Sequence, residues 1–103
     1  KGLHAHPELT IYVKGQQITI PGNIGLLGGH KAVHTHDDLP IIHLEFNRIV
    51  REEDIMLGEF FKNWGKDIRS FGENMHMTVN GVENTEYERY IMRDTDKIKL
   101  EYD

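Results

Sequence analysis

The chain has 103 residues, 38% hydrophobic and 28% charged, with a formal charge of −5 and a pI near 5.8. That balance fits one ordered domain with a modest core rather than a disordered chain. The acidic character and singly scattered Lys and Arg argue against a nucleic-acid surface, and the absence of cysteine excludes disulfides and thiolate metal sites.

Patterned sequence begins at Lys1, so a targeting segment or membrane anchor is expected ahead of it, together with a location outside the cytoplasm; no apolar run nears the ~18 residues of a spanning helix. Leu9, Ile11 and Val13 alternate onto one face, Lys14-Gly15 makes a tight turn, and Ile18 and Ile20 resume the alternation. This predicts a β-hairpin over 9–20, stopped by Pro21 and Gly22. Gly22, Gly25, Gly28 and Gly29 then predict a flexible connection, with a lid over the histidines as the other reading. No Gly-Lys-Ser/Thr ending follows, which excludes a phosphate-cradling loop.

After Pro40, Ile42, Leu44 and Phe46 predict the buried face of a strand, leaving Ile41, His43 and Glu45 on a more polar face. Asp54 is the predicted N-cap of a helix whose buried stripe is Leu57, Phe60, Phe61 and Trp64, with Gly65 as its stop. Met75, Met77 and Val79 alternate up to Asn80-Gly81, a strong hairpin-turn signal, and a return strand is expected over 86–91. Asp94-Thr95-Asp96 predicts a turn, and Ile98, Leu100 and Tyr102 a closing strand. The order implies an α+β fold with a single amphipathic helix across one small, mainly antiparallel or mixed sheet.

Five of the seven histidines fall in His4-Ala5-His6, His34-Thr35-His36 and the following His43. An H-x-H step on extended backbone turns both imidazoles to one face. Several neutral nitrogen donors together suit Cu(II), Zn(II) or Ni(II), with copper or zinc expected first. The candidate ligands are His34, His36, His6, His4 and His43, with Asp37 and Glu45 as neighbouring carboxylates that accept imidazole N–H groups or join the ligands. The plainer roles are turn-capping for His34 and His36, and a loose terminus for His4 and His6. His30 follows two glycines and is expected to be exposed, while His76 sits between Met75 and Met77 on a core strand.

The segment Val79-Asn80-Gly81, with Asp94 through Leu100, resembles the closing strands of β-grasp domains such as ubiquitin-like sulfur carriers. Those carriers end in Gly-Gly, whereas this chain ends Glu101-Tyr102-Asp103, so the resemblance implies the fold and not the carrier chemistry. Gly28, five residues, then His34-Thr35-His36 resembles the opening of the first cupin motif, which implies a metal-bearing barrel. Pro40 and Ile41 stand where a cupin has its glutamate. Most of the chain resembles a group of small histidine-rich archaeal and bacterial proteins of no established activity: His4/His6, Ile11 to Gly15, His34 to Asp37, Ile41 to His43, and Leu57 to Gly65. That resemblance implies a shared domain, often placed after a membrane anchor.

Three functional classes follow. The first is a metal-binding domain that sequesters, senses or hands on the metal. The second is a small metalloenzyme, cupin-like or hydrolytic, with three histidines, an open position for water and Glu45 or Asp37 as base. The third is a protein-interaction domain with incidental histidines. Ser70 is the only serine and no base accompanies it, so nucleophilic catalysis has no support. His4 and His6 lie near a terminus, from which they would reach across a homodimer.

Overall fold

Alternating apolar residues build two sheets here rather than one. The computed structural model describes residues 2–103. Its strands are β1 (Leu3–Ala5), β2 (Glu8–Val13), β3 (Gln16–Ile18), β4 (Val33–His34), β5 (His43–Phe46), β6 (His76–Val79), β7 (Val82–Glu83) and β8 (Lys97–Tyr102), with one α-helix, α1 (Leu57–Trp64). The larger sheet has the order β3-β2-β8-β6-β7, and the smaller one β1-β5-β4.

In the larger sheet β2 and β8 run parallel at the centre, with Leu9 opposite Ile98 and Ile11 opposite Leu100. Antiparallel hairpins flank them on both sides. With the helix between the two hairpins, this is the β-grasp order that the closing strands suggest. Both hairpin turns have the expected chemistry: Lys14 and Gly15 sit at φ 51° and 79°, Asn80 and Gly81 at 54° and 82°. Two consecutive positive φ values match the right-handed twist of the strands they join.

The chain passes between the two sheets at His6-Pro7. The Pro7 carbonyl accepts the Ile42 N–H at 2.8 Å, and the Pro40 carbonyl accepts the Leu9 N–H at 3.0 Å. β1 and β2 are therefore one segment shared by both sheets. A single apolar cluster joins them, drawing on Leu9, Ile11, Leu44, Phe60, Met77 and Leu100, each fully buried. Leu57, Phe60 and Phe61 face this core as their spacing predicts, and Trp64 packs at its rim. Gly65 ends the helix at φ 79°, its N–H donating to the Phe61 and Lys62 carbonyls.

Two expectations need correction. Asp54 does not cap α1: it lies in a 3-10 turn, Glu52–Ile55, where its carboxylate accepts the Arg51 N–H at 3.0 Å. Met56 is the residue that precedes α1. The predicted return strand over 86–91 is instead the short β7 followed by a 3-10 turn, Tyr87–Arg89. The Asn84 side chain accepts the Glu86 N–H at 2.7 Å, and this local bond competes with a strand ladder. Among the described residues no helix is long and apolar enough to cross a membrane.

Candidate metal centre

β5 is the middle strand of the smaller sheet, so its polar face has neighbours on both sides. Register sets His43 opposite His34 on β4 and Glu45 opposite His4 on β1. Directly paired residues share a face. The other face of β5 sends Leu44 and Phe46 into the core, at 0% and 4% exposure, so the histidine face is fixed by burial of its reverse. His36 follows His34 by two residues and His6 follows His4 by two, which brings both toward the same patch.

The rings converge accordingly. Centroids are 4.7 Å apart for His34 and His36, 4.7 Å for His36 and His43, and 5.3 Å for His6 and His43. His34 and His43 stack at 5.5 Å with planes 4° apart. His30 comes from the glycine-rich loop to 4.5 Å from His34.

That loop is not a free connection. Thr35, 1% exposed, donates its hydroxyl to the Pro21 carbonyl at 2.9 Å and accepts the Ile24 N–H at 3.1 Å. Its backbone N–H and carbonyl bond to Ile24 and Asn23, each at 3.0 Å. Gly25, at φ 81°, lies so close to β4 that a Cβ there would sit 2.7 Å from the Val33 carbonyl oxygen. The Asn63 side chain of α1 donates to the same oxygen at 2.8 Å. Loop and helix thus clamp the backbone that carries His34 and His36.

Hydrogen bonds fix the protonation pattern of two rings. His34 Nδ1 lies 2.7 Å from the Lys31 carbonyl oxygen, which only accepts, so Nδ1 carries the proton and Nε2 the lone pair. His43 Nε2 lies 2.9 and 3.0 Å from the Asp38 carboxylate oxygens, so Nε2–H donates there and Nδ1 is the nitrogen that carries the lone pair in the neutral ring. These two free nitrogens, His34 Nε2 and His43 Nδ1, are buried without a hydrogen-bond partner. Both lie near one carboxylate: His34 Nε2 is 3.2 Å from Glu45 Oε1, and His43 Nδ1 is 3.5 Å from Glu45 Oε2.

Burial lowers the His34 pKa below its usual value, outweighing the Lys31 carbonyl and the Glu45 carboxylate that raise it. The ring is therefore neutral at pH 7. The hydrogen bond from His43 holds the Asp38 carboxyl below its ordinary range.

Among the described residues, two groups have donor atoms that all lie within 4.8 Å of one another: His30, His34, His36 and Glu45, and His6, His43 and Glu45. Histidine and carboxylate side chains thus gather at distances from which they could hold a metal ion. Of the expected residues, His34, His36, His43, His6 and Glu45 come together. His4 is exposed opposite Glu45 and belongs to neither group, and Asp37 is exposed and also outside them. The carboxylate on a histidine is instead its neighbour Asp38. His76 is exposed on the larger sheet, opposite Glu101.

His30 was not among the expected ligands. Its position four residues before His34, directly after Gly28 and Gly29, is the signal that points to it in retrospect. The barrel that the cupin comparison implies is not what carries His34: it lies on the edge strand of an open three-stranded sheet, β1-β5-β4. The chain matches no family model, no curated protein and no solved structure.

Proposed function

We propose that this is a metal-binding domain that holds a divalent first-row ion, Cu(II), Zn(II) or Ni(II), for sequestration, sensing or transfer. One observation carries the reading: a neutral, tautomer-locked His34 leaves an unpartnered, buried Nε2 lone pair with a carboxylate oxygen 3.2 Å away. Two acceptors stand close together there, an arrangement that a shared cation would stabilise. A bonded ring nitrogen that leaves the other free for metal is the usual arrangement of a histidine ligand, and the Asp38–His43 pair repeats it.

The distance is also suited to an ion. With metal–ligand bonds of about 2.05 Å, neighbouring tetrahedral donors stand roughly 3.3 Å apart. His34, His36, His30 and Glu45 would supply four donors without sulfur, a set that suits copper, zinc or nickel. Four protein ligands favour holding over catalysis, since a catalytic ion keeps a position for water.

The test is elemental analysis of untagged protein incubated with mixed copper, zinc and nickel and then desalted. Retained metal that is lost in the His34→Ala/His36→Ala double variant supports the reading and names the ion. Wild type that retains none would sink it and leave the interaction domain.

A further inference from the structure

We infer that the site takes a pair of metal ions bridged by Glu45, one on His30, His34 and His36 and the other on His6 and His43. The inference rests on the metal-binding reading above and deepens it. Its first ground is the split orientation of the carboxylate. Glu45 Oε1 lies 3.2 Å from His34 Nε2 while Oε2 lies 3.5 Å from His43 Nδ1, so each oxygen has a different imidazole nitrogen beside it. Both separations lie near the roughly 3.3 Å edge of a tetrahedral site, one edge per ion.

The second ground is that the two donor groups do not merge. His34 and His43 are cross-strand partners with stacked rings 5.5 Å apart, yet among the described residues no group of mutually close donor atoms contains both. Parallel stacked rings present their lone pairs side by side rather than toward one point, so one ion does not serve both. Glu45 alone belongs to both groups. Carboxylate-bridged pairs hold their ions about 3.5–4 Å apart, a span that side-by-side rings accommodate.

The third ground is the support behind the second group. Asp38 holds the His43 ring from behind at 2.9 Å, and Asp94 fixes the backbone of His6 by accepting its N–H at 2.7 Å. Both partners lie outside the donor set, where they orient ligands without competing for the ion. The first ion has four protein donors. The second has three, His6 being the exposed one, so its remaining position opens to solvent and admits water or a small anion.

The test is a Cu(II) titration of the wild-type chain, followed by native mass spectrometry and electron paramagnetic resonance, and repeated on His6→Ala. Because His6 is exposed, this variant keeps its fold, which circular dichroism checks. The expected result is two ions per monomer mass, with the signal falling below two spins per chain and a half-field transition appearing at the second equivalent. His6→Ala should keep the first ion and bind the second on the order of 100-fold more weakly. One ion per chain in wild type overturns the pair and leaves the single-ion reading standing. Two ions with additive, uncoupled spins overturn the Glu45 bridge. No bound ion overturns both proposals.

Discussion

His34 illustrates how one side chain acquires a task from its surroundings. It is fully buried, which outweighs the pull of its Nδ1–H bond to the Lys31 carbonyl, and is flanked by His30 and His36, whose positive forms would repel its own. Folding thus depresses its pKa below the unfolded value of about 6.5, so the unfolded chain binds more protons in that range. Stability from this residue is complete above about pH 6.5 and is lost as pH falls toward the lower folded pKa. Denaturant melts of metal-free protein between pH 7.5 and 5 should show a declining midpoint, and His34→Gln should flatten that decline. Metal affinity should fall over the same interval, because a proton on an imidazole excludes the ion. At Asp38 the expectation concerns affinity alone. Asp38→Ala should weaken metal binding roughly 10–100-fold while leaving the exposed surface otherwise intact, as calorimetric titration would measure.

At the scale of elements, the clamp on β4 is the feature that turns an H-x-H step into a site. Thr35→Val keeps the shape but strands the buried Ile24 N–H, at a cost of about 1–3 kcal/mol in chemical denaturation. Gly25→Ala places a Cβ against the Val33 carbonyl at positive φ and should cost about 1–3 kcal/mol. Both changes should also lower metal affinity, since they loosen the strand that carries His34 and His36.

The same elements show what a reader of the sequence can see. The first hairpin, the helix stripe to Gly65 and the Asn80-Gly81 turn are legible because local periodicity and turn chemistry determine them. The clamp is not legible, because Thr35 and Pro21 are far apart in the chain and glycine spacing alone reads as slack. Asp54 misleads because its carboxylate does cap a turn, but the 3-10 turn before α1. The 86–91 segment misleads because Asn84 diverts the backbone into a bend.

For the whole molecule, the site is an addition to a β-grasp sheet. The smaller sheet takes its edge strand β1 from the segment ahead of the first hairpin and β4 and β5 from the stretch between hairpin and helix. Clustered histidines were visible in the sequence, but their meeting at Glu45 depends on β1 and β4 flanking β5, a pairing that no local pattern specifies. Because the apolar cluster spans both sheets, chelation should leave the protein folded. An ion at 100 times its dissociation constant should still add about 2.7 kcal/mol, visible as a rise in melting temperature that chelator reverses.

The most direct test of the account is long-range nitrogen–proton NMR of the histidine rings, with and without Zn(II). The metal-free protein should show His34 protonated at Nδ1 and His43 at Nε2, with the opposite nitrogens bare. Zinc should shift those bare nitrogens, His34 Nε2 and His43 Nδ1, while both ring protons stay in place. Bound zinc that left these two nitrogens unchanged, or the opposite tautomers in the metal-free protein, would contradict it.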